Sequence, residues 1–152
     1  MKTLVLGLGN EIKKDDAVGP ILVRKLSEKL DDEDMDFKTS ASGRILLLDE
    51  IRGYDRVFLI DSIKTEEGKP GVLYYLEPDD LDQESGLFAS HNVGLRTMKQ
   101  IGSSLGMKMP EIKIIAVEVE NPFEFEEGLT ESLQNRLPDL IEEIRETICG
   151  KS

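Results

Sequence analysis

A single cysteine, Cys149, leaves this 152-residue chain without an internal disulfide or a multi-cysteine metal cage. Histidine is equally scarce, so metal chemistry would fall to carboxylates and the one imidazole, His91. Basic residues number 19 against 31 acidic ones, and the formal charge of -12 excludes nucleic acid or an anionic membrane surface as partner. No apolar run approaches the roughly 20 residues that a membrane helix needs. The opening MKTLVLGLGN does not read as an export signal. Its apolar run is broken by Gly-Leu-Gly-Asn and meets Glu11, Lys13 and Lys14 where a small-residue cleavage site would stand. A cytoplasmic location is therefore expected. Linkers, repeats and low-complexity segments are missing too, and the length suits one core, so residues 1–152 are read as a single domain.

What is there alternates between strand and helix. Lys2 to Leu8 is a short continuous apolar run, as expected of a strand covered on both faces. Ile21, Leu22, Val23, Leu26 and Leu30 then fall near a 3.6-residue period, which predicts a helix from Pro20 to Leu30. A weaker strand over 35–40, nearer a sheet edge, precedes a short helix, Ile45 to Gly53. RVFLID, Arg56 to Asp61, has the pattern of a central strand, and VLYYLE, Val72 to Glu77, that of an outer one. A helix between His91 and Leu105, a strand from Glu111 to Glu120 and a helical tail over 130–149 complete the series. Pro138 is expected to kink or split that tail. The expected fold is α/β: a three-layer α/β/α sandwich with an open, mostly parallel twisted sheet of about five strands and helices on both faces.

In such a sheet, chemistry collects at the carboxyl ends of the strands. Asp15 and Asp16 follow strand one, Asp61 closes the central strand, and Ser90-His91-Asn92 precedes a helix. Two carboxylates and one imidazole, Asp16, Asp61 and His91, suit a borderline first-row ion such as Zn²⁺ or Ni²⁺ with positions left open. Each residue also has a plainer reading: Asp15 or Asp16 as a helix cap, Asp61 as a tie on a strand-end turn, His91 as an ordinary first-turn residue. A nucleotide loop is excluded at GLGNEI. The third glycine of that pattern is Ile12, no acidic residue ends strand two, and two carboxylates at the helix entrance repel pyrophosphate. Gly7 and Gly9 instead fit a tight turn that folds the loop back over the sheet end.

LGLGNEIKKDDAVGP, VFLIDSI, SHNVGL and the late ENPFEFEEGLTESL resemble, in order and spacing, the hydrogenase maturation proteases, from Lys2 to about Leu133. The resemblance implies an endopeptidase, aspartic-type or metal-assisted, that removes a short carboxyl-terminal peptide from the precursor of a nickel-iron hydrogenase large subunit. It further implies metal binding by Asp16, Asp61 and His91, and a catalytic role for Asp16 or Asp61. Nickel would be presented by the substrate, so that the metal acts as a checkpoint. Gly9, Asn10, Asp15 and Gly19 of the first motif are assigned to substrate binding or to shaping the loop. One departure from the family pattern stands at Val117-Glu118-Val119-Glu120-Asn121-Pro122, where a glycine is expected before the proline. Two other readings use the same residues: a non-catalytic metal-binding maturation chaperone, and a receiver-type phosphoacceptor domain with Asp61 as acceptor.

Overall fold

The computed structural model describes residues 1–41, 44–81 and 95–150. Five strands, β1 (Thr3–Leu8), β2 (Met35–Ser40), β3 (Arg56–Ile63), β4 (Leu73–Leu76) and β5 (Glu111–Glu118), alternate with four helices, α1 (Val18–Lys29), α2 (Arg44–Ile51), α3 (Leu95–Ser104) and α4 (Glu131–Ile148). The sheet order is β2-β1-β3-β5-β4. All neighbours are parallel except β4, which runs antiparallel to β5 at one edge. This is the expected α/β sandwich, with β3 at its centre and β2 and β4 at its edges.

Alternation along the strands divides the core in two. Val5, Phe58, Ile60, Ile115 and Val117 face α1 and α4, and their cluster takes in Leu22, Leu26, Leu140 and Ile144. Leu4, Leu6, Leu8, Leu59, Ile63 and Ile114 face the other way and pack with Leu47 and Ile51 of α2. Every residue of β1 is buried, because helices cover both faces; each fully buried leucine there is worth about 1.5–3 kcal/mol of transfer free energy. The helix α1 lies unusually close to β1. A Cβ at Gly19 would stand 2.6 Å from the carbonyl oxygen of Leu8, and one at Gly7 would stand 2.6 Å from that of Gly19. Only two glycines allow this approach.

Three boundaries differ from expectation for identifiable reasons. Strand β3 continues two residues past Asp61, since Ser62 and Ile63 stay paired with Val117 and Glu118 of β5. Strand β5 ends at Glu118: the Val119 N–H still donates to the Ile63 carbonyl at 3.0 Å, and those of Glu120 and Asn121 then go to the Asp15 carboxylate instead of to a strand. The tail is one helix, undivided at Pro138. That proline and Gln134, whose carbonyl loses its helical partner, lie on the exposed face, while Leu133, Leu137, Leu140, Ile141, Ile144 and Ile148 hold the opposite face in the core. Among the described residues no helix is long and apolar enough to cross a membrane.

Just before β3, the Tyr54 hydroxyl donates to Asp36 Oδ2 of β2 at 2.6 Å. Burial, and then the hydrogen bond to this carboxylate, push the phenol up from 10.0 to about 12. The folded state thus holds a proton that the unfolded chain releases first. Its contribution is complete below pH 10 and is lost as pH rises towards about 12. Urea unfolding across this range is expected to show stability falling with pH. Tyr54→Phe reduces the slope without abolishing it, because Tyr74 is raised in the same direction, chiefly by burial.

Candidate active site

The chain leaves β1 through α1 to β2 on one side, then returns through α2 to β3 on the other. This reversal opens a crevice at the carboxyl ends of β1 and β3, the position where ligands bind in open α/β sheets. A loop over 9–13 and a 3-10 turn, Lys14–Ala17, fill its rim. Gly9, at φ 155°, lets the loop fold back on itself; a Cβ there would overlap the carbonyl oxygen of Asp16. Lys14 has a φ of 24°, a value non-glycine residues avoid, and its N–H is tied to the Glu126 carbonyl at 2.9 Å.

The adjacent acids Asp15 and Asp16 have separate tasks. Neither caps α1, whose N-cap is Ala17 and carries no side-chain cap bond. The Asp15 carboxylate is fully buried and turns to the segment between β5 and α4. It accepts the N–H of Glu120 at 3.0 Å, of Asn121 at 2.8 Å and of Thr130 at 2.8 Å, and the Thr130 hydroxyl at 2.9 Å. Thr130 occupies the N-cap position of α4 yet gives its hydroxyl to Asp15. Asp16, also buried, turns to the sheet: its Oδ2 accepts the Asn10 N–H at 2.9 Å and its Oδ1 the Ser62 hydroxyl at 2.8 Å. Ser62 in turn gives its N–H to Asp61 Oδ1 at 2.7 Å.

One serine therefore joins the two acids. The alternation of β3 places Asp61 on the face of Leu59 and Ile63 and Ser62 on that of Phe58 and Ile60, beside the entry to α1. Asp16 and Asp61 reach the sheet end from opposite layers, and Ser62 bridges them. Asn10 holds Asp16 through its backbone, while its own side chain accepts the Ile12 N–H at 3.1 Å and shapes the loop. His91, with Ser90, lies outside the described residues. Among those described, no group of three or more His, Cys, Asp or Glu side chains is placed to hold a metal ion. A cavity of about 270 Å³ opens beside the site, lined by Gly9, Asn10, Ile12, Pro20, Ser40 and Ala41 among others.

Sequence reasoning missed Ser62, Thr130 and Glu118. Glu118, buried at the end of β5, accepts the Thr65 N–H at 2.8 Å, the Thr65 hydroxyl at 2.6 Å and the Tyr74 hydroxyl at 3.0 Å. Gly68 passes so close to this carboxylate that a Cβ would overlap it. Ser62 had a local signal, its place directly after Asp61 on a strong strand. The partners of Asp15 and Glu118 lie more than 40 residues away and had none.

A sequence model of the hydrogenase maturation protease family, HycI, matches residues 20–147. The chain belongs to this family. Its fold is similar to that of HybD, a [NiFe] hydrogenase maturation protease from Thermococcus kodakarensis, with a TM-score of 0.76 and 22% identity over 97% of this chain and 99% of that one. The hydrogenase maturating endopeptidase HybD from E. coli superposes with a TM-score of 0.74 at 23% identity, covering 99% of this chain and 94% of that one. For the maturation protease HycI from Thermococcus kodakarensis KOD1 the values are 0.72, 21%, 98% and 93%. Comparison with curated protein sequences finds no match. The family member described here is thus a hydrogenase maturation peptidase.

Asp15→Ala would orphan three backbone N–H groups at once. We expect a loss of about 3–5 kcal/mol in urea unfolding, at the upper end for one side chain.

Proposed function

We propose that this chain cleaves a short carboxyl-terminal peptide from a nickel-iron hydrogenase large-subunit precursor after nickel insertion, with Asp16 and Asp61 as its working carboxylates. The observation that carries this reading is the Asp16–Ser62–Asp61 bridge at the switch point of the sheet. Two buried carboxylates joined through one residue are eased by a proton or a cation shared between them. Two carboxylate donors make an incomplete sphere for a nickel ion, which fits an ion that arrives already held by the substrate. His91 would be the third donor, by its place in the order of motifs. Metal recognition and discrimination then coincide: a precursor without nickel lacks the group that the site is built to meet.

For the hydrolysis itself, either Asp16 or Asp61 can serve as general base. The carboxylate takes a proton from water, whose oxygen bonds to the scissile carbonyl carbon. The carbon–nitrogen bond then breaks, and the carboxylic acid returns the proton to the departing amine. Ser62 and the Asn10 N–H orient Asp16 for this exchange. A receiver-type role gains no support, since the family and the antiparallel β4 both point elsewhere.

Mass spectrometry of nickel-loaded and metal-free precursor tests the reading. Loss of a carboxyl-terminal peptide from the loaded form alone is expected. Equal processing of both overturns the checkpoint, and metal binding without any processing would favour a maturation chaperone.

Asp16→Asn and Asp61→Asn are expected to lower processing by about 100-fold or more with unfolding midpoints nearly kept. Ser62→Ala should cost about 10- to 100-fold, the worth of one hydrogen bond to a charged group. His91→Ala should weaken Ni²⁺ binding in calorimetric titration while circular dichroism stays unchanged.

A further inference from the structure

Three large apolar side chains stand in solvent on two loops joined at Lys13–Asp15. Ile12, 53% exposed, lies in the loop after β1; Phe123 and Phe125, 67% and 75% exposed, lie between β5 and α4. None of them joins either core cluster. Apolar groups left in water at neighbouring positions mark a surface that a partner covers.

The backbone beneath them is held in place. Lys13 and Glu126 form a parallel bridge, and the Lys13 ammonium sits 5.4 Å from the centroid of the Phe125 ring. The Asn121 side-chain oxygen accepts the N–H groups of Phe123 and Glu124 at 3.1 and 3.2 Å, closing a tight turn. Asp15 fastens both ends of the segment, at Glu120 and Asn121 and again at Thr130. The ordering that docking normally demands is already in place, which favours aromatic anchors for recognition.

Acids surround the aromatic pair: Glu124, Glu126 and Glu127 are all exposed, and although Lys14 pairs with Glu126 at 3.1 Å and Glu124 at 3.9 Å the rim stays net acidic. A second copy of this chain would set these acids against its own, in a protein of formal charge -12, so self-association is disfavoured. A partner with an apolar centre and a lysine- or arginine-rich margin is complementary.

We propose that Ile12, Phe123 and Phe125, rimmed by Glu124, Glu126 and Glu127, dock the folded body of the large-subunit precursor. The inference rests on the protease reading and adds to it the surface that selects the substrate. Because the same Asp15 that anchors this surface precedes Asp16 in the chain, a body seated on it delivers its carboxyl-terminal segment to the acids.

The test compares the wild type with Phe123→Ala/Phe125→Ala and Glu124→Lys/Glu127→Lys, using the nickel-loaded large-subunit precursor of the same organism with its extension intact. Biolayer interferometry gives Kd and processing kinetics give KM and kcat. The alanine pair is expected to raise Kd and KM about 10-fold or more at unchanged kcat and unfolding midpoint. The charge-reversed pair is expected to slow association and weaken its dependence on salt. Unchanged Kd in the alanine pair overturns the docking surface. So does a wild-type chain that binds no precursor, or one that forms a dimer in sedimentation which the alanine pair abolishes. A wild-type chain that binds the precursor but never cleaves it overturns the protease reading alone, and the docking surface is then judged on Kd.

Discussion

The buried carboxylate of Asp15 is the constraint on which the rest of the site depends. It joins backbone positions 105, 106 and 115 residues away, across the end of the sheet. Burying a carboxylate is costly unless its oxygens are satisfied, and here three N–H groups and a hydroxyl satisfy them. An amide could not replace it: half of an amide's polar atoms are donors, which would face the N–H groups they had to accept. This one contact holds the chain beyond Val119, ties down the head of α4 and holds the 3-10 turn that places Asp16. The unfavourable φ of Lys14 follows from the same clamp, since the residue is pinned between Asp15 and its bond to Glu126.

The fold was largely legible because its inner strands β1 and β3 are dry on both faces, while the edge strands β2 and β4 are not. RVFLI reads as a central strand, since its apolar run has almost no solvent face to offer, and EIKIIAV reads as a strand whose later residues are apolar on both faces. Strand ends were less legible, because they depend on groups far away in the chain. Ser62 and Ile63 extend β3 because β5 offers partners, and beyond Val119 the chain gives its donors to Asp15. Pro138 misled for a different reason. Its penalty within a helix assumes an interior carbonyl, and the six buried residues of α4 turn that carbonyl towards water.

The pair Asp15-Asp16 shows where reading by residue type runs out. Both acids follow the same strand, both are candidates for a helix cap, and nothing local separates them. The structure separates them by what each joins: Asp15 ties to the β5–α4 connection, Asp16 to the end of β3. Asp15 and Glu118 take their hydrogen bonds from the loops they fasten, Asp15 from the β5–α4 connection and Glu118 from the loop that carries Thr65 and Gly68. These are structural uses of charge, in which the carboxylate substitutes for missing secondary structure.

Asp16 and Asp61 differ because the residue between them is bound to both. Ser62 donates its hydroxyl to one acid and its N–H to the other, so the arrangement fixes two carboxyl groups relative to each other, while Asp16 also holds the Asn10 N–H of its loop. A fold gains little stability from holding two negative charges together in its interior. Such an arrangement makes physical sense where a proton, a cation or a reacting water is to be shared between them, and the switch point is where open α/β sheets bind their ligands. The serine explains how acids from opposite layers meet there: a strand sends neighbouring side chains to opposite faces, so a residue adjacent to Asp61 is the natural bridge to a residue at the head of α1. That requirement for adjacency accounts for β3 continuing past Asp61, since a strand that ended at the aspartate would leave Ser62 without the pairing that directs its hydroxyl.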